Sequence, residues 1–194
     1  MTNSNMSQSV ENLQTALSME LTAVNQYLLH ANVLEDWGLD RLADKMREEI
    51  NDELGHADRF IERILYLDGV PTVVPAKAPV QAKTLEEMLT SDLVEERGAV
   101  RFYTQAVEAA VNDNDIGTRR LFEDIVMDEE GHADWLSRQI GLLNKMGEPH
   151  YMLSQMEERP AACSTGKLIK VWRAGHRPGP PTVLIKAKAR GSFF

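Results

Sequence analysis

The sequence has a single cysteine, Cys163, among 194 residues. That excludes an internal disulfide, a Cys-x-x-Cys redox pair and a cysteine-ligated zinc site. Long apolar runs are also missing, since none approaches the ~20 residues needed to span a bilayer. The first residues, MTNSNMSQSVEN, lack the basic-then-apolar order of a secretory signal. No alternation of the kind a strand requires competes within the first 158 residues. With 43% hydrophobic and 26% charged residues the chain has the composition of a globular protein, neither collagen-like nor disordered. A helical, cytoplasmic protein without a membrane span is the expectation.

Acidic residues are absent from 159–194, which contain Arg159, Lys167, Lys170, Arg173, Arg177, Lys186, Lys188 and Arg190. These are eight of the 21 basic residues and none of the 30 acidic ones, leaving 13 against 30 in residues 1–158. So acidic a body concentrates cations and repels nucleic acid. Two units follow: a bundle over 1–158 and a basic tail over 159–194. In the tail, GHRPGPP separates the short stretches KLIKVW and TVLIKAKA, and the whole reads as a disordered extension.

Apolar residues recur at helical spacing from about Ser9 to Trp37, where Gly38 supplies a C-cap. A second helix is expected from Asp40 to Leu67, ending at Asp68-Gly69. Residues 70–83, VPTVVPAKAPVQAK, hold three prolines and read as an extended connector. Thr84-Leu-Glu-Glu87 is a capping box opening a third helix to about Asn112. Asn112–Asp115 form a turn, a fourth helix runs to Met146, and Pro149 opens a short fifth helix through about Glu158. Helices of ~28 residues are about 42 Å long. A 14-residue connector reaches about 46 Å, enough to return along a helix and start the next one parallel to the last. The expected fold is all-α: a four-helix bundle with one long crossover and a short fifth helix.

A repeat then singles out residues. Gly55-His56-Ala57-Asp58 recurs as Gly131-His132-Ala133-Asp134, an offset of 76. The same offset takes Glu53 to Glu129, Glu20 to Glu96 and Tyr27 to Tyr103. It also carries Leu13, Leu17, Val24 and Ala31 onto Leu89, Leu93, Val100 and Val107. In the second helix of each copy, Met46, Ile50, Phe60 and Ile64 match Phe122, Val126, Leu136 and Ile140. The chain is two copies of one helical hairpin.

Leu13, Leu17, Glu20, Val24, Tyr27 and Ala31 are spaced as the buried seam of a bundle helix. Glu20 therefore occupies an apolar position, and Glu96 does the same between Leu93 and Val100. Glu53 and Glu129 follow the inward Ile50 and Val126, with His56 and His132 one turn on. Glu95 breaks both the offset and the seam, so Glu96 is preferred to it. A lone Glu-x-x-His is ordinarily a solvated helix face. Two at one offset, each with a seam glutamate, are not. Buried carboxylates need partners or a metal, and no Lys or Arg occupies an equivalent seam position. Glu and His at i, i+3 share a face, so Glu20, Glu53, His56, Glu96, Glu129 and His132 can converge on two metal ions. Mixed oxygen and nitrogen ligation suits iron or manganese. Tyr27 and Tyr103 are expected to hydrogen-bond the ligands, and His30 to be structural or exposed; His150 and His176 carry no signal.

This ligand set is a known one, that of the ferritin-like di-iron and di-manganese proteins. From about Asn12 to Met156 the chain resembles a bacterioferritin, most clearly in LTAVNQYLLHANVLEDWGL, HADRFIERILYLDG, EEMLTSDLVEERGAV and DEEGHADWL. The resemblance implies a hollow shell of 24 subunits that oxidises Fe(II) with O2 or H2O2 and stores it as a ferric mineral. It implies two iron ions per subunit: Glu20 and His56 would hold one, Glu96 and His132 the other, and Glu53 and Glu129 would bridge them. It also implies a haem between subunits, held by a methionine after the first bridging glutamate. Leu54 stands there and has no lone pair to offer, so a haem points to a mixed shell with a methionine-bearing partner. An auxiliary iron site in some members would fall on Glu48 and Asp52, an acid pair replacing a His and an Asp. The competing readings are a rubrerythrin-like peroxidase or manganese catalase of the same fold, and a non-catalytic partner subunit of a mixed shell. A rubredoxin-type domain is excluded by the lone cysteine.

Overall fold

The structure, a computed structural model, describes residues 8–156. The basic tail, with Cys163 and His176, lies outside the described residues. Four long helices and a short one follow in order: α1 (Gln8–Asp36), α2 (Asp40–Tyr66), α3 (Leu85–Asn112), α4 (Ile116–Met146) and α5 (Glu148–Gln155). No strand occurs among the described residues. None of their helices is long and apolar enough to cross a membrane. The fold is the all-α bundle that the periodicity implies. α5 ends at Gln155 rather than near Glu158, because Met156 already has extended dihedrals.

α1 packs mainly on α2, and α3 on α4, so the two copies of the repeat are the two hairpins. Gly38 closes the first turn at φ +78° and Gly147 stops α4 at φ +75°, left-handed conformations that glycine adopts without a Cβ clash. At the end of α2 the left-handed residue is Asp68, not Gly69. Gly69 is needed there for room, since a Cβ would lie 2.9 Å from Ile64 Cγ2 and 3.1 Å from Val10 Cγ1.

The crossover is stitched to α1 by side chains. Gln14 donates to the Thr72 carbonyl and accepts from the Thr72 amide, both at 2.8 Å. Gln26 makes the same pair of bonds with Val80, both at 2.9 Å. Between them Thr22 Oγ1 accepts from the Ala76 amide at 2.9 Å. These rungs satisfy backbone groups of a segment that has no strand partner. They also carry the crossover along α1 to the start of α3. There Thr84 caps the helix by accepting from the Glu87 amide, and Glu87 reaches back to the Lys83 amide.

The second hairpin is tied to the first where α4 begins. Asp115 caps α4 by accepting from the amide and hydroxyl of Thr118, and it pairs with Arg63 of α2. Burial alone would raise the Asp115 carboxyl, but Thr118 and Arg63 outweigh it and hold the group below its ordinary value. Asp115→Ala is expected to cost about 1–2 kcal/mol, the usual worth of a strong N-cap. Because the folded-state pKa is depressed, this contribution is complete above the unfolded value of about 3.9 and lost as pH falls through the folded one. Denaturant melts of wild type and variant from pH 7 downward test it: the gap should be constant above about pH 5 and narrow as the pH falls below about 3.9.

The interior has two apolar layers. One gathers Tyr27, Leu34, Leu42, Met46, Leu89 and Leu136, among others. The other gathers Leu13, Leu17, Phe60, Tyr103, Phe122 and Ile125. Along each helix the seam glutamates fall between the two, so a charged slice is held within an apolar core.

Candidate metal centre

All six residues singled out by the repeat lie in that slice. Glu20, Glu53, His56, Glu96 and Glu129 are 1–5% exposed, and the His132 side chain is 12% exposed. α1 and α3 contribute one glutamate each; α2 and α4 each contribute a Glu and a His one turn apart. His56 Nδ1 lies 3.2 Å from Glu129, 3.3 Å from Glu53 and 3.7 Å from Glu20. His132 Nδ1 lies 3.2 Å from Glu129, 3.4 Å from Glu53 and 3.9 Å from Glu96. The six therefore fall into two overlapping groups, Glu20-Glu53-His56-Glu129 and Glu53-Glu96-Glu129-His132, within each of which the nearest ligand atoms are less than 4.8 Å apart. Glu53 and Glu129 belong to both. The imidazole centroids are 6.3 Å apart.

Several buried atoms here have no hydrogen-bond partner: Glu53 Oε1, both oxygens of Glu129, and His132 Nδ1. Leaving such groups unpaired is costly, and a cation between the two groups would engage them all. Tyr103 donates its hydroxyl proton to Glu20, and Tyr27 donates to Glu96. Each tyrosine thus orients the glutamate of the opposite repeat. Burial and the neighbouring carboxylates push both phenols well above their ordinary pKa, so they remain donors.

Burial, then repulsion from Glu53, pushes the Glu20 and Glu96 carboxyls well above the ordinary range. Burial would raise Glu53 and Glu129, but hydrogen bonds lower both: from Glu20 and then the two imidazoles for Glu53, and from the two imidazoles and then Glu96 for Glu129. Burial would lower the imidazoles too, but the carboxylates override it: His56 is pushed far up and His132 up to about 11. Protons on Glu20, Glu96, His56 and His132 thus meet the charge of the four carboxylates. A divalent cation that binds here must displace them.

Two openings lead to the slice. A cavity of about 620 Å³ lies under the crossover, between α1 and α3, and reaches Glu20, Glu53, Glu96 and Glu129. A cleft of about 480 Å³ between α2 and α4 runs past Gly55 and Gly131 to the two histidines. The slice is thus reached from both faces.

Other expectations fare differently. Glu95 is exposed and pairs with Lys77 at 2.7 Å, away from the six. Glu48 is 70% exposed beside Lys45, and Asp52 clusters with Glu49 and His132. His30 is fully buried and pairs with Asp92 at 2.9 Å. Neither the partner of His30 nor the inward position of Glu49, which is 2% exposed, follows from helical periodicity alone. The repeat held the missing signal: offset by 76, Glu49 matches Ile125, Asp92 matches Ala16 and His30 matches Ala106. At these three positions an inward polar residue stands where its repeat mate is buried and apolar.

An antiparallel helical pair, duplicated about a buried carboxylate and histidine centre, defines the ferritin-like class, and residues 10–146 match the ferritin-like domain family. A bacterioferritin of Rhodobacter capsulatus is 39% identical over 153 residues, covering 79% of this chain and 95% of the relative. A bacterioferritin of Brucella melitensis is 40% identical over 152 residues, covering 78% and 93%. The chain belongs to the bacterioferritin family. Among solved structures it resembles the 2.6 Å structure of the R. capsulatus bacterioferritin, described as having a metal-free dinuclear site and a haem iron. The TM-score is 0.76 at 38% identity, covering 80% of this chain and 97% of the other.

Proposed function

We propose that this chain stores iron, and that it does so by oxidising Fe(II) at the six-residue centre and depositing Fe(III) in a hollow, 24-subunit shell. The observation that carries this reading is the pair of overlapping ligand groups sharing Glu53 and Glu129, whose orphaned oxygens call for two cations. Membership of the bacterioferritin family agrees with it. Glu20 and His56 would hold one Fe(II), Glu96 and His132 the other, and Glu53 and Glu129, common to both groups, would serve both. Each Fe(II) gives up one electron, and the pair passes two to a single oxidant. O2 with two protons leaves as H2O2; alternatively H2O2 with two protons leaves as two waters. Hard carboxylate oxygens favour the more highly charged Fe(III). Tyr27 and Tyr103 hold the two terminal glutamates in position throughout, and the openings on the two faces give Fe(II) and oxidant separate access. An acidic body in the cytoplasm suits a protein that collects cations.

Haem does not fit this chain at the position the resemblance assigns to its ligand. Leu54 is 46% exposed on α2 and offers no electron pair, so a haem-bearing shell requires a methionine-bearing partner subunit.

Aerobic Fe(II) loading followed by size exclusion, with iron and haem measured in each fraction, tests the proposal. Iron far above two per chain in a large, haem-poor particle is expected. About two iron ions per chain in a small species would replace storage by a soluble di-iron oxidase or peroxidase. A large particle that takes up no iron would indicate a non-catalytic wall subunit.

A further inference from the structure

The repeat gives the centre an approximate two-fold pattern, and that pattern breaks twice on the same side. Beside Glu96 and Tyr27, Asp92 of α3 pairs with His30 of α1, both buried. Their repeat mates are Ala16 and Ala106, also buried. Beside His132, Glu49 of α2 lies with Oε2 3.0 Å from the ring Nε2 and with its other oxygen against Lys45. The mates of Glu49 and Lys45 are Ile125 and Leu121. The mated positions on the other side, Ala16, Ala106 and Ile125, belong instead to the second apolar layer.

The difference reaches the ligands. Both imidazoles turn Nδ1 toward the bridging glutamates, so whatever stands behind Nε2 sets how good a donor Nδ1 is. A carboxylate in that position fixes the ring and raises its basicity. Behind His132 stands buried Glu49, with Asp52 in the same cluster. The Glu49 carboxylate is clamped between the Lys45 ammonium on one oxygen and the imidazole on the other. Behind His56 stands Asp128, farther away at 3.4 Å and with a side chain 54% exposed, so water screens its charge.

We propose that the two metal positions are inequivalent: the one held by Glu96 and His132 fills first, and Glu49 is the positioning residue that strengthens His132. This rests on the reading of the six residues as a dinuclear centre. Partners of this kind are worth about 10–100-fold in metal affinity, and a separation of that order between the two positions is expected.

Co(II) is a suitable probe, since it binds without consuming O2 in a turnover. Crystals of the full chain grown with one Co(II) per chain should show, at the cobalt absorption edge, a dominant anomalous peak beside Glu96 and His132. Calorimetric titration should show two steps, and Glu49→Gln should merge them by weakening the first. Asp128→Asn should leave the first step in place. Equal peaks, a dominant peak beside Glu20 and His56, or an unchanged first step in Glu49→Gln would overturn the inference while leaving the dinuclear centre intact. Failure to bind any Co(II) would overturn both. The wild-type peaks decide the matter even where Glu49→Gln does not fold.

Discussion

Glu20→Ala and Glu96→Ala should each lower the initial rate of aerobic Fe(II) oxidation by at least ~100-fold, since even an outer partner of a metal ligand is worth up to that much. Each substitution removes a terminal carboxylate from one ligand group and leaves the bridging glutamates in place. It also deprives Tyr103 or Tyr27 of its acceptor. The variants should nonetheless fold and assemble, because a carboxyl buried against other carboxylates contributes little to either. Stopped-flow absorbance of the ferric product, read alongside circular dichroism and size exclusion, separates loss of chemistry from loss of structure. Wild-type rates in both variants would remove these residues from the site. Rate loss that follows unfolding would mean that the glutamates serve the fold instead.

The second large effect is on stability. A ligand that binds only the folded state at 100 times its dissociation constant adds ~2.7 kcal/mol. At roughly 2–4 °C per kcal/mol for a chain of this size, each occupied position should raise the melting temperature by roughly 5–10 °C. Mn(II) or Co(II) added to the protein should therefore stabilise it strongly. The direction with pH follows from the protons held on Glu20, Glu96, His56 and His132. Metal must displace them, so at fixed metal concentration the stabilisation grows as pH rises and fades as it falls. Glu53→Ala, which removes a member of both ligand groups, should abolish the rise. A metal-induced shift that is equal at pH 6 and pH 8, or that survives Glu53→Ala, would place the stabilising ion elsewhere.

The sequence was most readable where a residue broke its own periodicity. Glu20 in a row of leucines and valines announced itself, and the 76-residue offset supplied its counterpart. The helix ends were readable for a similar reason: Gly38, Thr84 and Gly147 each meet a local backbone need that few residues can meet. What stayed hidden was chosen by three-dimensional neighbours. His30 looked idle because Asp92 lies 62 residues away, on a helix that reaches it only through the crossover. Glu49 sits beside exposed Glu48, and only its repeat mate, Ile125 against the Asp124 of Glu48, sets it apart. The fold decides, by turning position 49 toward His132. At the end of α2 the positive φ falls on Asp68, while Gly69 answers a different need, the lack of room for a Cβ beside Ile64 and Val10.

The stitching of the crossover to α1 bears on how the centre comes together. The first hairpin supplies Glu20, Glu53 and His56, the second Glu96, Glu129 and His132. Neither completes a ligand group, since each group draws on both. Two identical hairpins meeting across a symmetry axis would present the same six side chains, but every change in one would appear in the other. Joining the copies in one chain, with glutamine rungs laying the join along the first helix, frees each half to diverge. His30 with Asp92, and Lys45 with Glu49, are residues that a symmetric ancestor could not have placed on one side alone.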